Sequence, residues 1–136
     1  MAKFIIVCII CGILFGFLDG AINANPLARH LFKVYNPITR PSINVTAGII
    51  IDLLYGFALG FLFIMLYTSL PGETGVVKGI SFAIIVWFLR VVMGGISSWM
   101  MFTLSAKTLL YIVTSGFLEM LVLGILYGIF VRPFKL

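Results

Sequence analysis

Charged side chains are scarce in this chain: they make up 10% of its 136 residues, and only four of them are acidic. Soluble globular domains carry about a quarter of their residues as charges. Hydrophobic residues reach 62% here, and the mean hydropathy is +1.25. This composition excludes a water-soluble domain and predicts a chain that folds within lipid.

Residues that usually hold cofactors or metals are also rare. His30 is the only histidine, which excludes bis-histidine haem ligation within the chain and a histidine-rich metal site. Cys8 and Cys11 form a Cys-x-x-Cys pattern inside an apolar run, where they are predicted to be small packing residues and not a redox pair. No phosphate-binding loop or serine–histidine pairing occurs. We therefore expect no cofactor, no metal and no enzymatic activity.

Long apolar runs make up most of the chain. Each matches the roughly 17–25 residues that a tilted helix needs to cross a bilayer, and none alternates like the strands of a transmembrane barrel. The sequence predicts one all-α integral-membrane domain over residues 1–136, an antiparallel bundle of four transmembrane helices. The predicted spans cover residues 4–22, 47–70, 80–104 and 109–131.

The two later connections, residues 71–75 and 105–108, are short turns. They predict that helices two and three, and helices three and four, are antiparallel neighbours. An even number of spans places both termini on one side of the membrane. Basic residues flank both surfaces equally, so the positive-inside rule gives no orientation. We expect cytoplasmic termini in a prokaryotic plasma membrane, because the flanking charges on that side lie directly against helix ends.

The first connection, residues 23–46, carries an amphipathic pattern. Asn25 and Pro26 form a helix start, because asparagine caps helices and proline suits the first turn. Apolar and basic residues then separate onto two faces, which predicts a short interfacial amphipathic helix over residues 26–35, between helices one and two. The apolar face contains Leu27, Leu31, Val34 and Tyr35, and the basic face contains Arg29, His30 and Lys33.

This basic face, with Arg40 further along the loop, is interpreted as a docking site for anionic lipids of the bilayer or for a partner protein. The alternative is a solvated basic loop whose spacing is accidental. The net charge of +5 fits anionic headgroups. Without a soluble basic domain, it does not indicate binding of nucleic acid.

Four ionisable side chains interrupt the apolar runs. Such groups are costly inside a bilayer and usually functional. Each lies on or beside a row of small residues spaced four apart, where membrane helices approach closely, so all are predicted to face protein or a polar cavity. Arg90 and Glu119 lie near the midplane on adjacent helices, which predicts an ion pair between them. The four residues are Asp19, Asp52, Arg90 and Glu119.

Asp19 and Asp52 are predicted at one depth, roughly 8–10 Å below the surface that carries the long connection. Two charged carboxylates repel each other in a medium of low dielectric constant, which raises the affinity of each for a proton. One of them could therefore take up and release a proton. The functional interpretation is a proton or cation pathway. The alternative is that both residues cap helix ends near the rim of the membrane, where carboxylates are less costly.

Two functions of different classes fit these features. The sequence favours a small non-catalytic subunit, scaffold or assembly factor that packs against other membrane subunits, because in such a protein the charged residues need only a structural role. The alternative is a homo-oligomeric proton- or ion-coupled transporter or channel that uses the intramembrane carboxylates. Four helices from one chain rarely enclose a solute path, so the alternative requires self-association.

Overall fold

The structure of the protein, a computed structural model, describes residues 2–38 and 44–131. These residues form helices and connections without a strand, which confirms the predicted all-α class. Two of the helices are joined by a π-helical segment into one continuous helix, Gly75–Met101. The elements are α1 (Ala2–Ala24), α2 (Pro26–Leu31), a 3-10 helix (Phe32–Ile38), α3 (Val45–Leu66), α4 (Gly75–Val86), the π segment (Trp87–Val92), α5 (Met93–Met101) and α6 (Ala106–Phe130).

Four helices are long and apolar enough to cross a membrane: α1, α3, Gly75–Met101 and α6. Large apolar side chains cover their outer faces, and Phe17 and Met65, for example, are 73% and 76% exposed. Water would disfavour such a surface, whereas lipid solvates it. The structure therefore indicates a multi-pass membrane protein built as a four-helix bundle.

The helix bounds differ from those predicted by the apolar runs. All four spans begin earlier than predicted, three of them because polar residues outside the runs cap them. Each capping side chain accepts a hydrogen bond from a backbone N–H three residues further on. The predicted end of the second span at residue 70 is also wrong, since α3 ends at Leu66 and turns follow. The caps are Asn44, Thr74 and Ser105.

The bundle consists of two closely packed antiparallel pairs, α1 with α3 and α4 with α6. Glycines form the seam of each pair. A Cβ atom at Gly56 would collide with the carbonyl of Cys8 and the backbone of Gly12, and one at Gly79 would collide with the carbonyl of Gly124. Small residues at such crossings let helix backbones touch within a membrane. We call these contacts the α1–α3 seam and the α4–α6 seam.

The third and fourth predicted spans, Gly75–Met101 and α6, are close neighbours as predicted, whereas the second span, α3, contacts the third less extensively. The ring centroids of Phe63 and Phe82 lie 5.3 Å apart, and the Lys78 ammonium donates to the Tyr67 carbonyl at 2.6 Å. The turn between the helices contains Gly72 with a φ of +117°, a conformation that favours glycine. The helix α3 packs mainly on α1, which the long first connection allows.

A buried hydrogen bond joins the two pairs. Tyr127 of α6 donates its O–H to the carbonyl of Gly56 in α3 at 2.5 Å, and its side chain is fully buried. Cys8 and Cys11 lie in the same core cluster as free thiols. The packing role predicted for the cysteines is confirmed.

Replacing Tyr127 with phenylalanine is expected to lower the free energy of unfolding by about 1 kcal/mol. The ring is retained, and intramembrane hydrogen bonds contribute about 0.6–1.7 kcal/mol. Equilibrium unfolding in mixed detergent and dodecyl sulfate micelles measures the change. Tyr67→Phe is the matched control, because no described residue forms a hydrogen bond with the Tyr67 hydroxyl. An equal loss in both variants would contradict this role of Tyr127.

Candidate functional site

A cavity of about 410 Å³ lies between α1, the continuous helix Gly75–Met101 and α6. It contains three of the four predicted intramembrane charges: Asp19, Arg90 and Glu119. Asn23 and Phe32 of the long connection also line it, so the cavity approaches that end of the bundle. We call it the inner cavity.

Toward the other end of the bundle, side chains from α3, α4 and α6 form a tightly packed core. The aromatic and aliphatic side chains there are at most 2% exposed. Native interiors of this kind leave few voids that admit water. The inner cavity therefore does not continue through this core. The packed residues are Phe63, Phe82, Leu123 and Tyr127.

Arg90 is held by aromatic rings. Its guanidinium carbon lies 5.1 Å from the centroid of the Phe15 ring and 5.0 Å from that of Tyr55. The two rings stack on each other with centroids 4.9 Å apart. A desolvated guanidinium over an aromatic face is stabilised by about 2 kcal/mol. Phe15 and Tyr55 thus belong to the site, although neither residue was predicted there.

The predicted direct ion pair between Arg90 and Glu119 is not formed. Among the described residues, the contacts of the Arg90 guanidinium are the two aromatic rings, and no ion pair involves it. Glu119 and Arg90 still line the same cavity and act on each other electrostatically, as do Glu119 and Asp19. The charges therefore form a loose cluster around open space.

The π segment explains the direction of Arg90. Gly79 faces α6, and in an uninterrupted α-helix Arg90, eleven residues later, would point within about 20° of the same direction. The wider turns of Trp87–Val92 change this register. Val91 consequently packs against Gly116 of α6, while Arg90 turns toward α1 and α3.

Trp87 anchors the start of the π segment. Its indole N–H donates to the carbonyl of Val113 at 2.9 Å, and its ring packs edge-on against Phe117 with centroids 5.2 Å apart. Both partners belong to α6. The tryptophan therefore holds the π segment against α6, so that the segment's register is fixed where Arg90 leaves the helix.

Glu119 is the one buried charged side chain in the described parts of the chain, with 4% of its surface exposed. Its Oε1 atom accepts no hydrogen bond from any described residue. A buried carboxylate oxygen without a donor is unfavourable by about 1–3 kcal/mol or more. A proton, a water molecule or a small cation would relieve this cost.

Asp19 belongs to α1 and Asp52 to α3, and the two side chains lie against different faces of α1. Asp19 lines the inner cavity, whereas the carboxylate of Asp52 packs against Gly16. Asp52 also lines a separate groove of about 400 Å³ beside the exposed side chains of Ile13 and Phe17. It acts on Asp19 electrostatically without entering the cavity. The inner cavity therefore holds two carboxylates, not three.

The long connection crosses the end of the bundle. Asn25 caps α2 as predicted, because its side-chain oxygen accepts from the Ala28 N–H at 2.9 Å. The amide of Asn25 donates to the Tyr111 hydroxyl at 2.8 Å, and the Thr108 hydroxyl donates to the carbonyl of Leu31 at 3.1 Å. These hydrogen bonds fix α2 over the start of α6.

The predicted interfacial helix is two shorter pieces, because the chain tightens from α to 3-10 geometry at Phe32. Ala28 packs inward, whereas Leu27, predicted to lie on the apolar face, is 57% exposed. Arg40 lies outside the described residues. The other predicted basic residues are exposed, and they are Arg29, His30 and Lys33.

The fold and the inner cavity define a small multi-pass membrane protein with a charged site inside its helix bundle. DUF6789, a family of unknown function, matches residues 5–133, and the chain belongs to this family. No curated protein and no solved structure matches the chain.

Proposed function

We propose that the protein carries protons or small cations, with Glu119 and Asp19 as the ion-binding groups and Arg90 as the counter-charge. The observation that supports this most directly is the buried Glu119 oxygen without a donor among the described residues, in a cavity that also holds Asp19 and Arg90. A carboxylate in a close pair with an arginine would keep its charge. Glu119 has no such partner, so uptake of a proton or cation stabilises the site.

The arrangement of Arg90 supports the same function. Two aromatic rings hold its guanidinium, so the cation keeps its place whether or not the carboxylates are charged. A fixed cation beside exchangeable carboxylates limits the net charge that the bilayer interior must accommodate. Arginine suits this role because it stays protonated at all relevant pH values.

Access from one side limits how transport can occur. The inner cavity ends at the packed core, so a single closed conformation connects Glu119 with only one surface. Transporters expose a fixed midplane site to one membrane surface and then to the other by moving one group of helices against another around it. The two glycine seams provide such groups, α1 with α3 and α4 with α6. Self-association, as expected for a four-helix carrier, is part of this proposal.

The subunit, scaffold or assembly-factor function favoured by the sequence stays a prediction. So do the prokaryotic plasma membrane, the cytoplasmic termini and the absence of enzymatic activity. The inner cavity supports the transport function over the subunit function, because a subunit that only packs against partners does not require a buried carboxylate without a partner.

Proton flux into proteoliposomes that contain only this chain tests the proposal. A pH-sensitive dye inside the vesicles reports flux driven by a potassium diffusion potential. Glu119→Gln preserves the shape of the side chain but cannot take up a proton, and we expect it to reduce the flux by about tenfold or more. The matched control is Glu73→Gln, which changes the same residue type in the exposed turn between α3 and α4.

Equal flux in Glu119→Gln and the parent protein would overturn the proposal, and so would a parent protein without proton or cation flux. The subunit function would then be tested by the composition of the particle extracted gently from its native membrane. Other polypeptides in a fixed ratio would support it.

A further inference from the structure

A second cavity adjoins the inner cavity at the end of the bundle. Its volume is about 780 Å³, and we call it the outer chamber. The two cavities share three lining residues, Asn23, Phe32 and Ile112. A molecule in the outer chamber would therefore lie directly beside the approach to the inner cavity.

The charges of the outer chamber are of one sign. Among the described residues, Arg29 and Lys33 line it, and no carboxylate does. Both side chains are exposed, and neither forms an ion pair with a described residue. The side-chain amide of Asn36 adds a neutral hydrogen-bond donor. Two unpaired cations around one concave site attract an anion, and a phosphate group offers oxygens to both.

The chamber also has an apolar side. Phe32 and Ile112 form part of its wall, and Leu27 of α2 is 57% exposed, two residues before Arg29. The helix α2 follows directly on the membrane span α1, so these residues lie where lipid headgroups meet acyl chains. A phosphate free in solution would leave this apolar surface uncovered, whereas a lipid would cover it.

We propose that the outer chamber binds the phosphate group of an anionic phospholipid, held by Arg29 and Lys33, with its acyl chains on the apolar surface beside Leu27. Lipid binding at this site does not depend on the protonation of Glu119, so it is independent of proton or cation transport. A lipid bound there would cover the side of the inner cavity on which Asn23 lies.

Lipid binding to the full chain in phosphatidylcholine nanodiscs tests this site. Phosphatidylglycerol with the same acyl chains is titrated in, and native mass spectrometry of the released protein counts the bound lipid. The parent protein is expected to retain phosphatidylglycerol in preference to phosphatidylcholine. The double variant Arg29→Gln with Lys33→Gln is expected to bind it about 30-fold more weakly, because two cation–phosphate attractions are lost.

Two further variants separate a built site from general surface charge. Lys107→Gln removes an exposed cation at the start of α6 that does not line the chamber, and it is expected to leave binding unchanged. The charge-preserving double variant Arg29→Lys with Lys33→Arg is expected to retain most of the binding. Equal weakening by Lys107→Gln would overturn the proposal. So would equal retention of the two lipids, or displacement of the lipid by excess inorganic phosphate.

Discussion

Replacing Gly79 with leucine is expected to prevent the bundle from forming. A Cβ atom at this position would collide with the carbonyl of Gly124 and lie in tight contact with the backbone of Gly128. Backbone atoms cannot rotate away as a side chain can, so α4 and α6 would have to separate along their length. Overpacking of a core usually costs about 1–3 kcal/mol and occasionally more, and the backbone position of this clash places Gly79→Leu at the upper end or beyond.

The matched control for Gly79→Leu is Gly48→Leu in α3. A Cβ atom at Gly48 would meet nothing within 4 Å. Leucine favours a helix over glycine by about 0.8 kcal/mol, so this variant is expected to be as stable as the parent or more so. Size-exclusion chromatography in mild detergent and unfolding in dodecyl sulfate report both outcomes. A folded Gly79→Leu protein with parental stability would contradict the α4–α6 seam.

Removal of the Arg90 charge is the second substitution that is expected to lower the stability of the bundle. Arg90→Leu takes away the cation that acts electrostatically on Asp19 and Glu119, and coupling between groups that share one site is typically about 0.5–3 kcal/mol. It also removes the contacts of the guanidinium with Phe15 and Tyr55. Arg90→Lys keeps the charge but lacks the planar group that stacks on rings. Its stability is therefore expected to lie between those of Arg90→Leu and the parent.

A double-mutant cycle separates the contribution of charge from that of packing. If Glu119 carries the unbalanced charge, the variant Arg90→Leu with Glu119→Gln is expected to be more stable than Arg90→Leu alone, although no direct ion pair joins the two residues. A coupling free energy between about 0.5 and 3 kcal/mol is typical of charges that share one site. Additive effects of the two substitutions would show that the rings, and not the carboxylate, account for the stability that Arg90 provides.

The sequence predicts the number and order of the spans well, because a bilayer requires long apolar helices and little else explains such runs. Glycines spaced four apart also predict close helix contacts. They do not predict which helices pair, because the rows in α1, α3, α4 and α6 look alike. The α1–α3 seam depends on the fit of Gly12 against Gly56, which is a property of the folded chain.

The candidate site is predicted in part. Asp19, Arg90 and Glu119 stand out because charges are rare in apolar helices, and they line one cavity. Phe15 and Tyr55 do not stand out, because aromatic residues are ordinary in membrane helices. A weak signal exists for Phe15, which lies one turn before Asp19 and thus on the same face of α1.

The π segment has a consequence for the history of the family. A π turn closes its hydrogen bond over one residue more than an α turn, so Trp87–Val92 resembles an α-helix that has gained a residue. A relative that lacks one residue between Val86 and Arg90 would keep every charge, yet its arginine would point back toward α6. Members of one family can thus share all the charged residues and still differ in whether they possess the cavity. In an alignment of their sequences, this difference would be visible as a gap of one residue.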